Sequence, residues 1–264
     1  MKRDYDIHIY PKSRIATFDI GRMGMSKHHV VGLIEIDVTD ARKKIALLKK
    51  KHENISFTSW LIKCVGDIAG LYPLIHGARK GARGIAVFSD VDISIAVERE
   101  IGGEKVPVPY VVRGANGKSV SDIHREILAA KEQPIRDEGD YVLGGGPRKL
   151  AMSLYYALPG FIRRSIWRIV LSRPALVKKM MGTVMITSVG MVGRVNGWIV
   201  PKSIHPLCFA ISSVNKKPGV INGRVAVREY LPVTVLVDHD VIDGAPAVRV
   251  MGKLVDALER GYLL

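Results

Sequence analysis

The apolar and polar positions along the chain predict strands and helices mingled from end to end. Residues 30–38, Val-Val-Gly-Leu-Ile-Glu-Ile-Asp-Val, settle into period two and predict a strand, after which Thr39 offers an N-cap for a helix over roughly 40–51. In 57–71, Phe57, Trp60, Leu61, Cys64, Val65, Ile68 and Leu71 recur at helical spacing, predicting a buried-face helix closed by Gly70 and Pro73. Strands are expected at 84–89 and 92–98, joined by a turn at Asp90. The Val/Pro alternation of 106–113 suits an edge strand, because Pro cannot donate to a ladder. Ser119 or Ser121 caps a helix through about Glu132. Later strands are expected at 183–188, 206–214, 224–229 and 232–238. A last helix, about 245–260, carries Val248, Met251, Leu254, Val255 and Leu258 on one side. Residues 7–24 alternate weakly, contain Pro11, and read as an arm or edge strand. With no repeat and no low-complexity linker, the pattern indicates one α/β domain.

Residues 141–181 break this rhythm. They open on Gly144-Gly145-Gly146-Pro147, a turn, and continue through two apolar-basic stretches. On a helical wheel Arg163, Arg164 and Arg168 share one arc. Phe161, Ile162, Ile166, Ile169 and Val170 lie roughly opposite, while Trp167 and Leu171 intrude on the basic side. The default reading is a helix that packs its apolar face and solvates its arginines. The other is a surface helix for a membrane or a partner.

Composition narrows the class. At 264 residues, 47% hydrophobic and 25% charged, the chain is globular, and disorder, collagen and coiled coil are excluded. Aromatics at 6% argue against a base-stacking platform. Cys64 and Cys208 fit no zinc spacing, so no metal and no disulfide are expected, and reduced thiols point to the cytoplasm. No secretory signal is visible at the start, and no apolar run reaches the ~18 residues that span a bilayer.

The net charge is +15, and its distribution matters more than its size. Between Asp140 and Glu229 there are 14 basic residues and no acidic one, whereas the remainder holds 26 basic and 25 acidic residues. Such a field attracts a polyanion: nucleic acid, an anionic membrane, an acidic protein or the phosphates of a coenzyme. Nucleic acid is disfavoured, because no recognition motif accompanies the charge. The run Lys43, Lys44, Lys49, Lys50 and Lys51 reads instead as the solvated face of a helix.

The sharpest chemistry is at 238–244, Asp-His-Asp-Val-Ile-Asp-Gly, between an apolar strand (Val233, Val235, Val237) and the terminal helix. A histidine on a loop at a strand end is presented by a rigid scaffold yet reachable, and imidazole accepts a proton from a thiol or hydroxyl near neutral pH. Asp243 is placed to fix the loop or orient a neighbour, and Gly244 gives backbone freedom. The plainer alternative is a structural ion pair. A second feature, 182–190, puts Thr187 and Ser188 at a strand end before Gly190. A hydroxyl there can donate to an oxyanion, worth about 3 kcal/mol of barrier when well aimed, or merely close a turn.

Together these features resemble the catalytic domain of the dihydrolipoyl acyltransferases of 2-oxo acid dehydrogenase complexes, with the chloramphenicol acetyltransferases as more distant relatives. The family's Asp-His-Arg-x-x-Asp-Gly is matched by Asp238, His239, Asp243 and Gly244, and its Gly-Thr-Phe-Thr-Ile-Ser-Asn-Leu-Gly by 182–190, with Thr187 at the catalytic Ser. Earlier blocks look similar in the same order: Glu35-Ile36-Asp37-Val38-Thr39, Phe57-Thr58-Ser59-Trp60-Leu61-Ile62-Lys63, Tyr72-Pro73, Ile93-Ser94-Ile95-Ala96-Val97 and Val106-Pro107-Val108. The departures are Asp240 for the family's Arg, Thr187 for its Ser, His76 for its Asn, and an insertion at about 141–181.

The resemblance implies a single chloramphenicol acetyltransferase-like α/β domain over 1–264, a mixed sheet with flanking helices, forming trimers. No lipoyl or subunit-binding domain is expected within it. It implies transfer of an acyl group between coenzyme A and a thiol or hydroxyl acceptor, dihydrolipoamide-like or other, with a lipoyl group supplied only in trans. His239 is then the general base, Thr187 the oxyanion donor and Asp243 a support for the loop, with Gly244, Asp238 and Ser188 structural at the site. The His of one chain meets the hydroxyl of the next in a homotrimer. The residues holding coenzyme A are not identified, and no metal is implied. The basic segment stays free for an acidic partner or an anionic membrane. The alternative is a non-catalytic trimeric scaffold of the same fold that binds such a partner.

Overall fold

A computed structural model describes residues 6–10, 12–51, 53, 55–101, 104–132, 149–188, 193 and 195–264. The first element is a helix, α1 (Ser13–Gly24), where an arm or edge strand is expected. Ala16, Asp19 and Met23 are buried at helical spacing, and the inward Asp19 interrupts the apolar stripe that would otherwise announce a helix. Strand β1 (His29–Asp37) leads into α2 (Thr39–Lys50). Thr39 does not cap this helix. Its amide donates to the Asp37 carboxylate (3.0 Å), and its hydroxyl ties the helix start to Asp37 and to the Glu229 amide. Helix α3 (Phe57–Leu71) starts on a capping box between Ser56 and Ser59 and buries Trp60, Leu61, Ile62, Cys64 and Val65.

Two short strands, β2 (Ala78–Lys80) and β3 (Gly84–Ala86), pair only with each other. The runs at 84–89 and 92–98 are therefore not one hairpin. The second run belongs to β4 (Ile93–Ile101), which pairs with β5 (Glu104–Val112), an edge strand as Pro107 and Pro109 require. Helix α4 (Val120–Glu132) begins where Ser119 and Asp122 exchange side-chain bonds with each other's amides. Three short helices follow: α5 (Lys149–Ala157), α6 (Gly160–Leu171) and α7 (Pro174–Met181). The turn expected at 144–147 lies outside the described residues.

The chain then enters β6 (Val184–Ser188), β7 (Leu207–Ile211), β8 (Asn215–Ile221) and β9 (Arg224–Asp238), and ends in α8 (Gly244–Glu259). The strand order is β1-β9-β7-β6-β4-β5, with β8 on the first half of β9. Strand β6 is parallel to β4 and β7, and the other pairs are antiparallel. The runs 224–229 and 232–238 are one strand, because Pro232 sits where β9 exchanges partner β8 for β7. Strand β8 leads into β9 through Asn222-Gly223, both at positive φ, the turn that matches hairpin twist. The main core gathers α3, α8 and the central strands around Trp60, Phe209, Val235 and Leu254.

Helices α5–α7 have a small core of their own, Trp167, Val177 and Met181 with Met23 and Ile204. Here α6 is rotated from the default orientation: Trp167 is buried with Val170 and Leu171 packed beside it, Arg168 stays exposed, and Arg163 turns inward to the nearly buried Asp19 (2.7 Å). The reason is the buried acid: Asp19 also accepts from Tyr155 (2.8 Å), whose hydroxyl in turn accepts from Trp167 Nε1 (2.9 Å). A carboxylate out of water takes such partners at the expense of an all-apolar contact.

Candidate active site

Strand β9 runs its last buried residues, Leu231 to Asp238, between β1 and β7, and the register sets His29 opposite Asp238. The strand stops there because the Asp238 carbonyl accepts from the amides of Val241 and Ile242, closing a tight turn. Five contacts pin that turn. Asp238 is fully buried and holds Lys27 Nζ at 2.6 Å, while its other oxygen accepts the Asp240 amide at 3.2 Å. The His239 amide donates to the His28 carbonyl at 3.0 Å. Asp240 takes His28 Nδ1 at 2.9 Å and Arg79 at 3.3 Å. The hydrogen bond with His28, helped by Arg79, holds the Asp240 carboxyl below the usual range. The backbone of His239 is thus fixed on both sides while its imidazole is exposed.

Asp243 is the N-cap residue of α8 in extended conformation, and its carbonyl accepts from Ala247. Its exposed carboxylate does not cap the helix, and among the described residues it has no hydrogen-bond partner. Gly244 opens α8 with ample space around it.

Thr187 lies elsewhere. It is the fourth residue of β6, half-buried, in register with Ala210 of β7, which is in register with Thr234 of β9. Ser188 follows opposite Ile211. From Thr187 to Asp238 is thus two strands across and four residues along. At about 3.4 Å per residue and about 4.8 Å per strand, that is roughly 16 Å. No hydrogen bond spans it, so Thr187 and His239 of one chain do not form one site. Residues 189–192, including the turn expected at Gly190, lie outside the described residues.

The entry to β6 is tightly built. Gly182 has φ +77°, and a Cβ there would sit 2.5 Å from the Asp92 carbonyl. The amides of Thr183 and Val184 donate to that carbonyl. His76, in place of the family's Asn, is buried with Nδ1 2.9 Å from the Thr183 hydroxyl. Burial, reinforced by Lys178, pushes its pKa down to about 4.

The structure thus gathers Asp238, His239, Asp243 and Gly244 in one loop and leaves Thr187 and Ser188 two strands away. Sequence reasoning misses Lys27, His28 and Arg79, three side-chain partners of the loop. The one available signal is Asp240 itself, since an acid where a relative carries Arg needs new partners. A cleft of about 420 Å³ lined by Arg42, Asn196, Val214, Asn215, Lys216 and Glu229 contains none of these residues. Among the described residues no group of His, Cys, Asp and Glu is arranged to hold a metal.

Comparison with known proteins identifies the family and the fold. The chain is 25% identical over 239 residues to a lipoamide acyltransferase component of the branched-chain alpha-keto acid dehydrogenase complex of Bacillus subtilis, covering 88% of this chain and 46% of that protein. It therefore spans about half the length of this curated relative. Among solved structures it resembles a dihydrolipoamide acetyltransferase of Azotobacter vinelandii, with TM-score 0.67, 21% identity, and coverage of 99% of this chain and 96% of that one. A chloramphenicol acetyltransferase shares the fold at TM-score 0.51 and 12% identity, over 99% of both chains. Residues 11–136 and 177–264 match the family described as 2-oxoacid dehydrogenases acyltransferase (catalytic domain). By that match the chain belongs to the 2-oxoacid dehydrogenase acyltransferase family, and what it carries is the catalytic domain.

Proposed function

We propose that this chain moves an acyl group between coenzyme A and a thiol of the dihydrolipoyl kind, working as a homotrimer. The observation that carries this reading is the pairing of a pinned, exposed His239 at the end of β9 with a Thr187 two strands away across the sheet. Each surface is half of a site, and two protomers side by side complete it. The names of the relatives, lipoamide and dihydrolipoyllysine-residue acyltransferases, support the acceptor.

In the proposed reaction His239 takes the proton of the acceptor thiol. The sulfur attacks the thioester carbonyl, and Thr187 of the neighbouring protomer donates a hydrogen bond to the oxyanion. Collapse breaks the bond to the leaving thiol, which recovers the proton from imidazolium. Asp243 enters only through its backbone, whose carbonyl starts α8 behind the loop. The segment 137–176, outside the family match, is proposed as an insertion into the catalytic domain. The cytoplasm is the proposed compartment. The free, buried Cys64 and Cys208, whose thiols burial pushes up to about 12, suit a reducing one.

The test is a mass-spectrometric transfer assay with a panel of acyl-coenzyme A thioesters and dihydrolipoamide, beside His239→Ala. A loss of about 10²- to 10⁴-fold in the variant, with its assembly intact, is expected for removal of a general base. Full activity in His239→Ala sinks the mechanism. Neither transfer nor coenzyme A binding by the unaltered protein leaves the scaffold reading.

A further inference from the structure

Helix α6 is fastened on one side by Trp167, with Val170 and Leu171 packed beside it, and by Arg163 reaching Asp19 of α1, so Phe161, Ile166 and Ile169 of its apolar arc face outward. Phe161 is 63% exposed, Ile169 54% and Ile166 37%, and Leu154 on α5 is 64% exposed. These side chains have no part in the core, so their apolar character is unexplained by folding. The cations beside them are equally unclaimed. Among the described residues, Arg164, Arg168, Arg173 and Lys179 pair with no carboxylate, while Arg163 and Lys178 have theirs in Asp19 and Asp92. No acidic residue occurs anywhere from 141 to 228 to supply one.

An outward apolar stripe bordered by unpaired arginines on one helix has a specific complement. A partner of charge alone, a polynucleotide or an acidic protein, would leave Phe161, Ile166 and Ile169 in water. At a lipid interface both halves are satisfied: the apolar side chains enter the boundary between headgroups and acyl chains, and the guanidiniums remain with the phosphates. No helix among the described residues is long and apolar enough to cross a membrane, so the contact is a helix lying on the surface.

We infer that α6 docks this protein onto an anionic lipid surface, with Phe161, Ile166 and Ile169 inserted and Arg164 and Arg168 on the lipid phosphates. This goes beyond acyl transfer and does not depend on it. The experiment is flotation of the full chain with vesicles of phosphatidylcholine, with and without phosphatidylglycerol, at low and physiological salt. The expected result is flotation with the anionic vesicles, reduced roughly tenfold on neutral ones. Phe161→Ser with Ile169→Ser abolishes it without altering charge. Arg164→Gln with Arg168→Gln weakens it and flattens its salt dependence. Phe161→Trp reads insertion directly, as a blue-shifted emission on adding anionic vesicles, and serves should the double Ser variant fail to fold. Absence of flotation at low salt overturns the proposal. Flotation unchanged in the Ser variant reduces the face to a charge patch for an acidic partner and overturns it too. A Ser variant whose assembly falls apart shows that copies of this chain cover the face, with the same consequence.

Discussion

Asp238 is the residue on which the His239 loop depends. It is fully buried, and its charge is met by Lys27, itself only 22% exposed. Removing one member of such a pair leaves an ion without water or partner, which costs more than the pair contributes. Lys27→Met should therefore destabilise the protein by about 3 kcal/mol, read as a lower urea midpoint. Asp238→Asn should cost less, because an amide needs no counter-ion. Equal effects would show that Lys27 acts by packing alone. The pair at Asp240 differs: His28 is 75% exposed, and exposed pairs contribute little. Its part is orientation, since the same His28 gives its carbonyl to the His239 amide.

At the scale of elements, the junction of α7 with β6 lies where the residues that match the family resume. Two buried histidines bracket it. His205 lies 3.0 Å from the Met181 carbonyl and 3.1 Å from the Ser203 hydroxyl, so Nε2–H donates to the first and Nδ1 accepts from the second. His76 lies against Thr183. Burial pushes both pKa values down to about 4. In the unfolded chain each titrates near 6.5. Below that pH the unfolded state binds protons that the folded state refuses. The stability they contribute is therefore complete above about 6.5 and drains away as pH falls to about 4, on the order of 3 kcal/mol for each. Urea midpoints should fall between pH 7 and pH 5, and His76→Asn should make that fall shallower. A midpoint constant over this range would refute the assignment.

The same scale shows what is legible in the sequence. Helices α3 and α8 are, because their stripes are purely apolar. The edge strand β5 is, through its prolines, and so is the loop of His239, whose residues adjoin. Helix α1 is not, because Asp19 in its inward stripe looks like a surface residue until Arg163 and Tyr155, from beyond residue 150, surround it. The orientation of α6 is hidden for the same reason. Lys27, His28 and Arg79 escape because their partners lie 161 to 212 residues away, and cations are common in a chain of net charge +15.

The whole molecule raises a question that a single protomer does not answer. Its β-sheet registers set the proposed base and the proposed oxyanion donor on separate surfaces, so catalysis as proposed requires protomers in contact. That requirement gives a prediction independent of substrate identity. His239→Ala and Thr187→Ala should each be inactive as pure assemblies, since every site lacks one half. If the two are mixed, dissociated and reassembled, some interfaces unite the intact His239 of one variant with the intact Thr187 of the other. Activity should then return to a fraction of the unaltered level, set by the statistics of mixing. Two halves of one chain's site would behave otherwise, each protomer remaining dead whatever its neighbour. Reassembled mixtures that stay inactive, with mixed oligomers demonstrated by mass, would refute a site shared between subunits. They would require a rearrangement within the chain that brings β6 and the end of β9 together across the intervening strand, which the continuous pairing of β7 to both opposes.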